Sequence, residues 1–271
     1  MIFKVDENNP FFTAENGALY NKDKTVLIKA FGRNTTIADS VKQIEDYAFF
    51  RYQFSTISIP DGVETIGNYA FDNCPALNKI LIPAKTTQLG EFVFFGCDNL
   101  DTIEVAPGNP GYVSGHGILW DLDNSSIVWS TKNVSEEVQI PNGIAVIRRH
   151  MFAYKEKDWD THFTRIRKVI LPGSVTKIEF GAFDFLPSLE EVVIPASVTE
   201  IEEPQFVSGW EMQWYYRDGE LSYPVLYVES GSYAEEYAIK NNIQFVIYSD
   251  SFAAQRTEVI SSCAVRFEDI R

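Results

Sequence analysis

Several groupings of side chains in this 271-residue sequence have types and spacings that could do chemistry. Asp158, Asp160 and His162 lie within five residues and offer the carboxylates and imidazole that a divalent cation takes. Glu190 and Glu191 are adjacent acids of the kind an acid/base pair would use, and Cys74 and Cys97 are thiols 23 residues apart. Trp210, Trp214, Tyr215, Tyr216 and Tyr223 crowd one stretch and Trp159 stands in another. Such rings give large contact area at low entropic cost and can stack on sugars.

Each grouping has a plainer account. Asp158, Asp160 and His162 belong to the polar run YKEKDWDTH (154–162), which reads as a solvated loop, so no metal is expected. Neighbouring strand residues point to opposite faces, which separates Glu190 from Glu191. Aromatics in an irregular loop commonly staple it to the core, and that is the plainer account of these. No GxSxG, HExxH, GxGxxG or phosphate-loop pattern occurs, and His116, His150 and His162 are the only histidines. The sequence therefore reads as non-enzymatic, without a cofactor.

A net charge of −15 opposes nucleic acid and anionic membrane surfaces, which bind through Lys and Arg contacts. No run of 18 or more apolar residues is present, so no direct membrane insertion is expected, and the opening MIFKVDENNPFF lacks the apolar core of a secretory signal. Hydrophobic residues make up 45% of the chain, enough for a sizeable core.

What must position any functional side chain is a repeat. IGNYAFDNCPALNKILIP (66–83) returns as IEFGAFDFLPSLEEVVIP (178–195), with the Ala-Phe pair and the closing Ile-Pro in the same places. Aligned on that proline, Pro60 to Pro83 is 23 residues, Pro83 to Pro107 is 24 and Pro172 to Pro195 is 23. A period of this size signals stacked supersecondary units. Alternation before the proline (Leu77, Ile80, Ile82; likewise Phe54, Ile57, Ile59 and Leu189, Val192, Ile194) predicts a short strand in each unit, stacked in parallel. The Val-x2-Ile that follows and the next Ala-Phe supply the other walls, with turns or 3₁₀ segments opposite the strands. Cys74 and Cys97 then share one position in neighbouring units. They are either two buried thiols or, at a spacing near 5 Å, a disulfide.

A longer repetition overlies this one: Asn9-Pro10, Gly17, Leu19 and Asp23 recur 100 residues later as Asn109-Pro110, Gly117, Leu119 and Asp123. Each block carries a turn between two apolar runs, which predicts β-hairpins at 17–30 and 117–131 within blocks 9–30 and 109–131. Two insertions break the period, at 154–162 and 207–224. Ser232 followed by Glu235 fits a capping box ahead of YAEEYAIK (233–240), so 225–248 is expected to form a cap of strand, short helix and strand, with 249–271 as a tail. Phe3-Lys4-Val5 aligns with the mid-repeat strand Ile103-Glu104-Val105, so the chain is expected either to be a piece of a longer protein or to use its first hairpin block as a cap.

The pattern AFxxCxxLxxIxIPxxVxxI and the hairpin NPxFxxxxGxLYNKDKTxLI (9–28) resemble BspA-type leucine-rich repeats of bacterial surface proteins over roughly residues 3–248. The resemblance implies an α/β horseshoe-like, β-rich solenoid, right-handed and gently curved, forming a single domain over 1–248. It implies binding to extracellular matrix, plasma or surface proteins rather than catalysis, and a cell-surface or secreted location; a native start at Met1 without a signal would instead place the chain in the cytoplasm. Outward strand positions form a column of Ser58, Leu81, Glu104, Ile170 and Val193, flanked by Thr56, Lys79, Thr102, Lys168 and Glu191. Leu81, Ile170, Val193, Lys79 and Lys168 are the candidate partner contacts on this face, with Trp159, Trp210, Trp214 and Tyr216 on the insertions. A carbohydrate-binding module built on 207–224, or a spacer in a longer surface protein, are the alternatives.

Overall fold

The computed structural model describes residues 4–31, 35–152, 165–184, 186–202, 216–217, 220–221 and 224–248. It is a β-rich, leucine-rich-repeat-like fold with one short helix among the described residues. The chain divides into two compact units, one of 1–121 with 128–133 and one of 122–127 with 134–271.

The first unit opens with a meander. Phe12–Glu15 pairs antiparallel with Ala18–Asn21 across Asn16 (φ 48°) and Gly17 (φ 77°), a two-residue turn that needs left-handed backbone at both positions and has the Asn-Gly pair suited to it. The strand Phe12–Glu15, and its counterpart Tyr112–Gly115, were not apparent from the hairpin pattern. Ala18–Asn21 pairs with Val26–Ala30, and Val26–Ala30 passes the register on in parallel to Gln43–Ile44, Thr65–Ile66 and Gln88–Leu89. The residues expected only to wall the repeat thus form a second, two-residue ladder. On the longer ladder Lys79–Ile82 pairs in parallel with Thr102–Val105. The strand expected around Phe54-Ile57-Ile59 is absent; only an isolated bridge joins Thr56 to Lys79.

The centre of this unit is a ring stack. Phe49, Phe71 and Phe94 are buried, with centroids 5.1 and 5.8 Å apart and planes within 16°. Beside them the Cys74 thiol donates to the Phe49 carbonyl and the Cys97 thiol to the Phe71 carbonyl, both at 3.1 Å. Both cysteines are free. The neighbouring Cys74 sulfur, together with burial, pushes the Cys97 thiol up, so it stays neutral in the core.

In the second unit Glu137–Gln139, Lys168–Ile170, Glu191–Ile194, Val225–Glu229 and Phe245–Tyr248 form one parallel sheet. Val146–Ile147, Lys177–Ile178 and Glu200–Ile201 form the short ladder. The helix Tyr233–Lys240 is capped as its sequence predicts: Ser232 Oγ accepts from the Glu235 amide at 3.2 Å, and the Gly231 amide donates to Glu235 Oε2 at 2.6 Å.

One backbone amide per repeat, just after the short ladder, is satisfied in two different ways. In the first unit the side chain comes from the repeat before: Asp46 Oδ1 accepts from Asn68 N (2.7 Å) and Asn68 Oδ1 from Glu91 N (2.8 Å). In the second it comes from the repeat after: Glu179 Oε2 accepts from Arg149 N and Glu202 Oε2 from Phe180 N, each at 3.0 Å. Glu179 and Glu202 stand where the first unit has Gly67 and Gly90, so a side chain either fills that slot or is excluded from it.

Glu202 carries a pH dependence. Its bond to Lys177 (2.6 Å), then the Phe180 amide, holds its carboxyl below the ordinary carboxylate range. A group lowered in the folded state stabilises at pH above its unfolded value, about 4.3, and loses that contribution as pH falls through its folded value. Glu202→Gln is expected to lower Tm at neutral pH, with the gap to the parent closing as pH approaches 2. A gap that stays constant over that range would show that the charge contributes nothing.

Candidate functional site

On the first unit's long ladder, Lys79 and Glu104 project from neighbouring strands and pair at 2.7 Å. Leu81, directly across the ladder from Glu104 and on the same face as Lys79, is 43% exposed. Alternation explains this: Ile80 and Ile82 are buried at 1% and 0%, leaving Lys79 and Leu81 outward. An exposed leucine framed by an ion pair is the arrangement expected at this position.

The second unit's outward face is more enclosed. Lys168 Nζ lies 3.1 Å from Glu191 and 3.9 Å from Glu137, and 5.7 Å over the Tyr227 ring. The Tyr227 hydroxyl donates to Glu191 Oε1 at 3.3 Å; burial, followed by the Glu191 charge, raises its pKa above the usual tyrosine range. Ile170 is half-buried. Val193 departs from expectation: it is only 6% exposed, flanked across the ladder by Ile170 on one strand and Tyr227 on the other. The two larger neighbours on the same face leave a valine little surface, so Val193 does not serve as an open contact. Trp159, Trp210 and Trp214 lie outside the described residues. Tyr216 falls in the short strand Tyr216–Arg217, paired with Glu220–Leu221.

A second surface lies on the turns, away from the strand positions. The residue before each Ala-Phe or Val-Phe pair is Tyr47, Tyr69 and Phe92, all left-handed (φ 55°, 53° and 52°). Their rings stack outside the core at 5.0 Å (1°) and 5.3 Å (19°). Phe50 and Phe95, each 36% exposed, meet this column edge-to-face. Bulky residues in left-handed backbone cost on the order of 1 kcal/mol each, against which each ring pair returns about 0.5–1.5 kcal/mol. The signal was present in sequence as three aromatics at one repeat position. The second unit has His150 (φ 53°) and Gly181 (φ 63°) there instead.

Among the described residues no group of three or more His, Cys, Asp or Glu side chains is placed to hold a metal ion. The arrangement presents side chains at fixed spacing on ladders and turns, which suits recognition.

Comparison with known proteins bears on the class. The model of the BspA type leucine rich repeat region matches in six copies over residues 30–113 and 126–257. No curated protein sequence matches the chain. Among solved structures, the chain is similar to a leucine-rich repeat protein from Eubacterium ventriosum, at 23% identity and a TM-score of 0.47 over 80% of this chain and 55% of that one. It therefore spans about half the length of that relative. A leucine-rich repeat protein from Bacteroides ovatus is similar at 18% identity and a TM-score of 0.41, over 83% of this chain and 70% of that one. A leucine rich cell surface protein from Faecalibacterium prausnitzii is similar at 17% identity and a TM-score of 0.32, over 86% and 98%.

Proposed function

The chain belongs to the BspA-type leucine-rich repeat family, and from that premise we propose that it is a non-enzymatic recognition or adhesion module for surface or matrix proteins. Family members are typically surface or secreted proteins, and we assign this chain the same setting; no helix among the described residues is long and apolar enough to cross a membrane. The repeats are inferred to wind as a solenoid of about 23-residue period with the hairpins spliced into it, one domain over 1–248, in keeping with ladder partners such as Ile80 and Ile103 or Val169 and Val192.

The observation that carries this reading is Leu81, an exposed apolar side chain held between charged neighbours on a hydrogen-bonded ladder. A frame ordered before binding loses little conformational entropy on contact, so modest exposed area can still give affinity. Lys79 beside it, Ile170 and Lys168 on the second unit's own sheet, and Trp159, Trp210, Trp214 and Tyr216 on the insertions are proposed as further contacts.

The test is capture on immobilised fibronectin, fibrinogen and mucin by the parent chain and by Leu81→Asp and Ile170→Asp. Leu81 is exposed, so folding should be preserved there, while Ile170 is half-buried and its variant is first checked for an unchanged fold; capture of a true partner is expected to fall about tenfold, some 1.4 kcal/mol. Undiminished capture by both variants overturns the strand-face reading.

A further inference from the structure

Phe50 and Phe95 occupy the same place in their repeats, each following the buried phenylalanine of the central stack. Each packs edge-to-face on the aromatic three residues earlier, Phe50 on Tyr47 (6.1 Å, 86°) and Phe95 on Phe92 (6.2 Å, 88°). What lies over them differs. Above Phe50 the chain places two of its own cations, the Arg51 guanidinium at 4.9 Å and Lys29 Nζ at 5.6 Å. Neither cation has a carboxylate partner among the described residues.

At Phe95 the following residue is Gly96 instead of arginine, and no described cation lies over the ring. Acids gather there. Asp72 holds the equivalent position one repeat earlier; it is 7% exposed, and Asn73 Nδ2 donates to its Oδ1 at 2.6 Å, while its Oδ2 has no hydrogen-bond partner among the described residues. The Asn73 amide donates to the Phe95 carbonyl at 2.7 Å, which brings the Asp72 turn against Phe95. Glu91, exposed, precedes Phe92, and its carbonyl accepts from Tyr69, whose ring meets Phe95 at 6.3 Å.

We propose that Phe95, with the carboxylates of Asp72 and Glu91, receives an arginine or lysine side chain of a protein partner, repeating between molecules the contact that Arg51 and Lys29 make at Phe50. The proposal rests on the protein-recognition reading and adds the chemistry of the partner. A ring face takes a cation, a desolvated carboxylate strengthens the pairing, and a chain of net charge −15 draws basic surfaces and repels acidic ones.

The experiment is fluorescence anisotropy of the full chain with a labelled peptide of alternating glycine and arginine, and with a glycine–glutamate peptide as counter-probe. The arginine peptide is expected to bind in a salt-sensitive way and the glutamate peptide not to bind. Phe95→Ser is expected to weaken binding about tenfold. Gly96→Arg should do the same by supplying the chain's own cation; it keeps the left-handed backbone that Arg51 itself adopts (φ 59° at Arg51, 67° at Gly96) and so tests the site if Phe95→Ser folds poorly. Equal binding by parent, Phe95→Ser and Gly96→Arg would reduce the attraction to net charge and overturn the proposal, as would no binding by the parent at low salt. Capture of matrix proteins that survives Phe95→Ser but fails in Leu81→Asp would leave the strand-face reading standing while this site falls.

Discussion

Phe71→Ala is expected to destabilise the first unit by about 3–5 kcal/mol, the range for emptying a fully buried phenylalanine site. Phe71 is 0% exposed, and it is the middle ring of a stack, with Phe49 at 5.1 Å on one side, Phe94 at 5.8 Å on the other and Phe54 edge-on at 6.3 Å. A cavity there removes contacts from three repeats at once, and rigid ladders on both flanks prevent them from closing over it. Whole domains are stable by only about 5–15 kcal/mol, so the urea midpoint should fall by a large fraction while the slope stays constant. Phe71→Leu, which keeps most of the volume, should recover at least half of the loss. A penalty below about 1 kcal/mol for alanine would mean that the stack is not what holds these repeats together.

Gly90→Ala is expected to cost about 3 kcal/mol for a single methyl group. The added Cβ would stand 2.4 Å from Asn68 N, 2.5 Å from Gly67 C and 2.7 Å from Asn68 Cα. All three are backbone atoms of the preceding repeat, so relief requires the repeats to move apart, breaking the bond from Gly90 N to the Ile66 carbonyl (2.8 Å). Gly90 does not have a positive φ, so the requirement is for space rather than for glycine's conformational freedom. Gly181→Ala is the informative comparison. There φ is 63° and the new Cβ would meet Asp184 Oδ2 at 2.4 Å, the far end of a side chain rather than backbone, which can swing aside at the expense of its 3.4 Å pairing with His150. Its cost should be about 1 kcal/mol, mostly backbone strain. Chemical denaturation of both variants measures the difference, and equal costs would remove the backbone-contact explanation.

The same slot shows why some features were legible and others were not. A period of 23 residues, the Ala-Phe pair and the closing proline are visible because a buried ring or strand position recurs wherever the repeat recurs. The helix was legible for a similar reason: Ser232 accepts from the Glu235 amide and Glu235 from the Gly231 amide, all within four residues. Whether a repeat caps its neighbour's amide from below through Asp46 or from above through Glu202 was not legible, because the partners are 22 residues apart and neither choice disturbs the apolar pattern. The short ladder at Gln43–Ile44, Thr65–Ile66 and Gln88–Leu89 was hidden likewise, since two residues are too few to show alternation.

For the candidate surfaces the division is the same. Alternation turned Leu81 and Val193 outward, each on its own strand, and that assignment needs nothing beyond a period of two. Their exposure, 43% and 6%, was decided by neighbours across the ladder, because Leu81 stands beside Glu104 and Val193 between Ile170 and Tyr227. The sequence by itself determined the repeat, its family and which side chains turn outward, all properties of local periodicity. Only the tertiary structure decided which outward side chains stay open and that Tyr47, Tyr69 and Phe92 form one stacked column. Exposure and stacking depend on distances between residues that the chain separates by a whole repeat, and folding alone brings those together.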